Sequence, residues 1–427
     1  MEKQVQLRKE KCIDRIFFLA VLVFFSGLML YLFYRQCTGS EQRYHSDMMA
    51  YIKEMQGIDS GYSFPYPILF KLGAFFNLFT TPPMAMALST MTLNSLALAA
   101  VKYVLNCVGL ESLKEALGKR SCLAGVILSL IALSLFFTSM VYPPGEIYLP
   151  GILRDYLGVF SGNPYYNATY MAARPFAVIA FFCFARLLDK YEMGYEKRGG
   201  VTLKEYIAFA LSLLLATLAK PSFTLVLVGA AGLIMLFRLI KSRFTNLVPT
   251  VQLGLCFIPT FADLLYQYSG VFVSTGTEEG GIGFSLGEVW GRYCENIPLA
   301  IGLAVGFPIL VLILNFRELK KNSLYRFSWQ LYWMGFAMAF FLYEKGFRKF
   351  DFNFCWGYMY GIFFAFIGAL IVLLKATVSL KSSGEKAGRG QVILIVLQWL
   401  AYGWHLICGI YYFALIYGGA MYYSVRW

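Results

Sequence analysis

The chain has 427 residues, of which 59% are hydrophobic and only 14% charged, against about 45–50% and 25% in soluble domains. This composition excludes a soluble globular protein. The formal charge of +13 does not indicate a nucleic-acid partner, because Lys and Arg are concentrated in every second connection between apolar runs, the pattern of inner membrane loops.

Apolar runs long enough to cross the hydrocarbon core recur from Phe17 to Ile416. They fall at roughly 14–35, 66–103, 121–142, 171–189, 205–219, 222–240, 247–268, 297–315, 328–343, 354–375 and 391–416. The reading is an all-α polytopic transmembrane helix bundle of about eleven spans, with ten and twelve as alternatives. One transmembrane domain over residues 1–427 accounts for the whole chain, with no separate soluble domain. The first run, Ile16 to Tyr34, lacks a small-residue cleavage site and reads as a signal anchor. Bases such as Arg8, Lys9, Lys102, Lys114, Arg186, Arg238, Lys241, Arg317, Arg326 and Lys375 orient the N-terminus to the cytoplasm and the C-terminus to the outside, in a plasma membrane.

The first outer loop, residues 36–66, contains RYHSDMMAYIKEMQGIDSGYSFPYP from Arg43 to Pro67. Tyr44, Met48, Tyr51, Ile52 and Met55 make one apolar stripe at helical spacing. The predicted helix lies in the bilayer interface, with Asp47 at one edge of the stripe and His45 at the other. The ordinary alternative is a solvated loop that orients two spans. In the next run, Pro82-Pro83 implies a short helix from Pro67 to Phe79 ahead of the true span. The second outer loop, 143–170, carries a second stripe of Ile152, Leu153, Tyr156, Leu157 and Phe160, hence a second interfacial helix. After the Gly162-Asn163-Pro164 turn, Tyr165, Tyr166, Asn167, Tyr170 and Arg174 lead into the following span. These aromatics are equally what an interface belt contains, and Asn167-Ala168-Thr169 formally matches a glycosylation acceptor.

Lys220-Pro221-Ser222 divides the stretch from Tyr206 to Leu239 into two short halves. Lys220 there is either a snorkelling lysine or a ligand for an anion. The outer loop 269–296, with Glu278, Glu279, Glu288, Arg292 and Glu295 among Gly and Ser/Thr, reads as mobile. The last dense outer segment, Tyr343 to Tyr360, sets Glu344, Lys345, Arg348, Lys349 and Asp351 among aromatic rings that include Trp356. Bases on the outer side run against the charge rule, and they suit a phosphate left at the outer leaflet. His405 lies inside the last span and reads as a satisfied core histidine.

The nine cysteines are scattered, odd in number and never spaced as CxxC, so neither a zinc site nor a disulfide framework is indicated. No phosphate loop, GxGxxG, HExxH or GxSxG is present. Any substrate is therefore met in the membrane or outside it.

An N-terminal anchor, a first outer loop with an acid on an interfacial helix, a second outer loop with another such helix, and about eleven spans together resemble the C-type (GT-C) superfamily of integral-membrane glycosyltransferases. The likeness covers the N-terminal half best. Asp47 in His45-Ser46-Asp47 matches the acid of that family's first loop, though it stands alone where many members carry two acids. The resemblance implies transfer of a sugar from a polyprenyl-phosphate carrier to a glycan or lipid-linked acceptor on the outer face. Asp47 would be the general base of an inverting single displacement, and Arg43 or His45 would orient it or hold the acceptor. Arg174, Lys220, Arg348 and Lys349 are the candidates for the lipid phosphate. Tyr165, Tyr166, Asn167, Glu344 and Trp356 are the candidates for sugar contacts. No cofactor is required, and a metal is neither demanded nor excluded. A transporter or flippase for lipid-linked sugars is the main alternative. It would place charges near mid-span, where Lys71 and Asp263 are the few candidates. A polysaccharide polymerase is another alternative.

Overall fold

The structure is a computed structural model, and it describes residues 2–40, 42–141, 159–192, 200–271, 281–383 and 388–420. Every predicted apolar interval is occupied by helix. The long helices are α1 (Glu2–Cys37), α4 (Pro82–Leu117), α6 (Ala168–Glu192), α8 (Ser222–Lys241), α12 (Ile297–Leu314), α14 (Ser323–Phe341), α15 (Cys355–Ser383) and α16 (Arg389–Tyr417). Shorter ones are α2 (Met48–Met55), α3 (Ile68–Asn77), α5 (Leu123–Leu135), α7 (Leu203–Ala219), α9 (Leu247–Leu255), α10 (Ile258–Val271), α11 (Glu288–Tyr293) and α13 (Glu318–Lys321).

Among the described residues, seven helices are long and apolar enough to cross a membrane, or eight if the bent pair α9 and α10, at 48°, forms one span. The other three intervals are helical but fall short. α5 has 13 residues and α7 has 17, while α14 is long enough but dilutes its apolar residues with Arg326, Ser328 and Gln330. The short helix expected before Pro82-Pro83 is α3. The second interfacial helix, apart from its last stripe residue Phe160, which is buried and not helical, and the acids Glu278 and Glu279 lie outside the described residues.

α15 is the central post. From Cys355 to Leu373 its residues are buried almost without interruption, as expected of a helix that is apolar all round. α14 lies along it because the contact is made of small residues. A Cβ on Gly335 would stand 2.9 Å from the Gly357 carbonyl, and one on Gly361 would stand 2.8 Å from Tyr332 Cα. On the other side α1, α4 and α5 pack together, α4 passes the contact on to α6, and α6 to α7. Lys102, counted among the inner-loop bases, is instead buried in α4. It bonds Asp14 of α1 at 3.0 Å and the Gly125 carbonyl at 2.7 Å. Because α4 continues to Leu117, position 102 is helix interior rather than connection.

Two stretches of irregular backbone are buried inside the bundle, which is tolerated at membrane depth only where protein satisfies them. Residues 136–141 follow the early end of α5, which stops seven residues short of the predicted span. Their backbone pairs with the His405 carbonyl (Ser139 N, 3.2 Å) and the Leu303 carbonyl (Val141 N, 2.7 Å). His405 is the satisfied core histidine: Nδ1 lies 2.6 Å from the Ser139 carbonyl, and Nε2 accepts from Phe307 N at 3.1 Å. That amide is released by the break in α12 at Val305, ahead of Pro308. Residues 159–167 form the second stretch. Asn163 donates to the carbonyls of Leu135 (2.9 Å) and Thr138 (2.8 Å), tying the two stretches together.

One end of the bundle gathers the start of α2, the start of α6, the α7–α8 break and the α14–α15 connection. There β1 (Ile282–Phe284) pairs antiparallel with β2 (Leu342–Glu344), Ile282 opposite Glu344. The end of α16 arrives at the same place, since Tyr44 N donates to the Gly419 carbonyl at 3.2 Å. Tyr44 is therefore not part of the helical stripe. Its φ of 59° belongs to a turn, and α2 begins only at Met48.

Candidate functional site

Asp47 occupies the N-cap position of α2, yet its side chain does not cap the helix. The Ser46 hydroxyl accepts from Met48 N instead, at 3.3 Å. The Asp47 carboxylate is left to accept from the Tyr51 hydroxyl at 3.2 Å, one helical turn on. Tyr51, Met48 and Ile52 are buried, so the predicted stripe fixes the helix and thereby the acid.

Asn167 comes from the buried 159–167 stretch. Its Oδ1 caps α6 by accepting from Tyr170 N at 2.9 Å, and its Nδ2 faces Asp47 Oδ2 at 3.5 Å. Lys220 comes from the break between α7 and α8. It is buried, and its ammonium donates to Asn167 Oδ1 at 3.1 Å and to Thr169 Oγ1 at 2.9 Å. The same ammonium lies 4.7 Å over the Trp356 ring. Lys220 does not snorkel, because Pro221 starts α8 at once and the side chain is drawn into the bundle. Asn167 thus joins acid and base, and an Asn whose amide is held on both sides is no exposed glycosylation acceptor.

The opposite wall comes from the α14–α15 connection. Glu344 accepts from Asn353 at 2.8 Å and pairs with Arg348 at 3.3 Å. Arg348 also reaches Asp351 at 3.3 Å. Trp356 Nε1 lies 3.4 Å from Asn353 Oδ1. Lys220, Glu344, Arg348, Asn353 and Trp356 line a cavity of about 320 Å³ together with Tyr66 and apolar residues of α8 and α14.

Protonation follows from this geometry. Asp47 is exposed to solvent, though crowded by protein atoms, and it does not itself line that cavity, which it meets through Asn167 and Lys220. Loss of hydration raises its carboxyl above the ordinary range, and Lys220, the Tyr51 hydroxyl and His45 oppose the rise. Burial lowers Lys220 to about 8, against the pull of Asp47. Burial also raises Glu344, with Arg348 opposing. Two acids and one lysine are thus held closer to neutrality than in water.

The structure brings together Asp47, Asn167, Lys220, Arg348, Glu344 and Trp356 among the residues singled out in the sequence. Tyr166 is buried with its ring 6.1 Å from Trp356, and His45 is close enough to Asp47 to act on its charge. Four others stand apart. Arg174 is wholly buried, donates to the Gly162 carbonyl and sits among the rings of Phe136, Tyr170 and Phe363. Its position fastens the 159–167 stretch instead of facing the cavity. Tyr165 turns away and bonds the Phe136 carbonyl. Lys349 pairs with Glu288 at 2.6 Å, which raises its ammonium. Arg43 donates to the Gly418 carbonyl at 3.0 Å.

Sequence reasoning missed Asn353 altogether, took Thr169 only for part of a glycosylation match, and took Tyr51 only for an apolar residue. The signal for Tyr51 was its place four residues after Asp47, and for Thr169 its place two after Asn167. Asn353 gave none. Among the described residues, no three His, Cys, Asp or Glu side chains come together as a metal cage would require. No family model, curated protein or solved structure matches the chain.

Proposed function

We propose that this protein is a membrane glycosyltransferase that moves a sugar from a polyprenyl-phosphate carrier to a glycan or lipid-linked acceptor on the outer face. The observation that carries the reading is the meeting of Asp47 with Lys220 through Asn167, beside Arg348 and Trp356, at one end of an apolar bundle. Four segments distant in sequence contribute to that cluster. In the reaction Asp47 takes the proton of the acceptor hydroxyl as its oxygen bonds to the anomeric carbon. The bond from that carbon to the phosphate oxygen breaks, polyprenyl phosphate leaves, and the anomeric centre inverts. Lys220 and Arg348 stabilise the charge that grows on the phosphate. Trp356 and Tyr66 offer ring faces to the sugar.

The same reading takes all eleven helical intervals as spans, α2 as an interfacial helix, and the cavity end of the bundle as the outer side of a plasma membrane. The inner end then carries most of the bases. The site needs no metal under this scheme.

The test uses full-length protein reconstituted in liposomes, supplied in turn with polyprenyl-phosphate sugars together with a cell-envelope extract carrying acceptor glycans, and followed by release of polyprenyl phosphate. Wild type is expected to release it from one donor, and Asp47→Asn at least about a hundredfold more slowly. Equal release by both proteins would remove Asp47 as base. Movement of an intact lipid-linked sugar between leaflets, without release from any donor, would support the flippase instead.

A further inference from the structure

A second cavity, of about 870 Å³, opens between α8 and α14 far from Asp47. Its trough is apolar, and its walls include Leu233, Phe237 and Trp333, which are 62%, 65% and 56% exposed. Among the described residues nothing covers that surface. Its far end is basic: Arg238, Lys241 and Arg326 line it.

We propose that this trough binds one anionic glycerophospholipid from the leaflet opposite the Asp47 cavity. Three features select that occupant. The first is depth. From Ala230 to Lys241, α8 rises roughly 16 Å at 1.5 Å per residue, about half the 30 Å hydrocarbon core, which is the reach of one leaflet's acyl chains. The second is the order of chemistry along the trough, apolar toward mid-membrane and cationic at the bundle end, where a phosphate head group lies. Basic pockets between spanning helices are suited to such heads.

The third is preorganisation. Arg238 donates to the Leu188 carbonyl at 3.3 Å, and Arg326 to the carbonyls of Leu319 at 2.9 Å and Lys320 at 3.4 Å. Each guanidinium is held in place by these bonds, and a planar guanidinium oriented in the trough wall suits phosphate oxygens. The sugar donor itself is a poor occupant. A head group at Arg238 would stand roughly 24 Å along α8 from Ser222 at the Asp47 cavity.

The test is native mass spectrometry of full-length, delipidated protein with phosphatidylglycerol and phosphatidylcholine of the same acyl chains. The protein is expected to retain phosphatidylglycerol in preference. At about fivefold per basic residue, Arg238→Gln with Arg326→Gln should weaken that retention tenfold or more, whereas Lys375→Gln should leave it unchanged. Ala337→Trp, which keeps the bases and fills the trough, should also abolish retention and decides the matter if the double variant does not fold. Equal retention of the two lipids, retention indifferent to the double variant or to Ala337→Trp, or displacement of the lipid by millimolar sodium phosphate would each overturn the proposal. None of these outcomes depends on sugar transfer.

Discussion

At the residue scale, the relation between Asp47 and Lys220 governs the site. Each has its charged form disfavoured by loss of hydration and favoured by the other, so the two ionise in a shared window. Under the proposed chemistry the Asp47 carboxyl, raised from its ordinary value, is the base, so the rate should fall as pH drops through that raised value. Lys220 lies at about 8, so under the same scheme the rate should fall again as pH rises through that value and a phosphate would lose a cation. A bell-shaped profile of initial rate is expected, with its alkaline limb near 8. Lys220→Arg keeps its charge throughout and should remove the alkaline limb; an alkaline limb unmoved by that change would dissociate Lys220 from the reaction. Asp47 was legible in the sequence because a lone acid sat beside an apolar stripe. Arg174 misled because an arginine near an outer helix end looks like a phosphate ligand. Only tertiary packing reveals that it turns inward to the Gly162 carbonyl.

At the scale of elements, the helices were legible and their ends were not. Hydropathy reports apolar length, and all eleven intervals are helical for that reason. It cannot report that α5 stops at Leu135, since residues 136–141 continue a largely apolar run and are held by the Leu303 carbonyl of α12 and by the carbonyl and ring of His405 in α16. The buried 159–167 stretch was likewise read as an outer loop, because its Gly, Asn and Pro look the same whether water or protein surrounds them. Asn163→Ala, which removes the donor to both Leu135 and Thr138, should cost about 1–3 kcal/mol in detergent unfolding. Gly361→Val tests the α14–α15 contact. The new side chain meets Tyr332 backbone, which cannot yield as a flexible side chain would, and about 2 kcal/mol or more should be lost. An unfolding midpoint equal to wild type would mean that the two helices leave room between them for a side chain.

At the scale of the molecule, the chain folds so that distant connections meet at one end and bases collect at the other. The alternation of basic and base-poor connections along the chain made this legible. It mislocated Lys102, where α4 overran its interval. The pairing of Tyr44 with Gly419 ties the first connection to the end of α16, so both must lie on the same side of the membrane. A cysteine introduced at Ser40 should accordingly be labelled from outside intact cells, and one at Lys381 only after permeabilisation. The opposite pattern would place the Asp47 cavity in the cytoplasm and end the proposed chemistry. The most direct measurement is linkage analysis of surface and lipid-linked glycans in cells lacking the protein, complemented with wild type or Asp47→Asn at equal membrane abundance. Loss of one sugar branch in the deletion and in Asp47→Asn, with the unmodified acceptor accumulating, is the predicted result. Full restoration by Asp47→Asn, or a glycan profile unchanged even in the deletion, would contradict it.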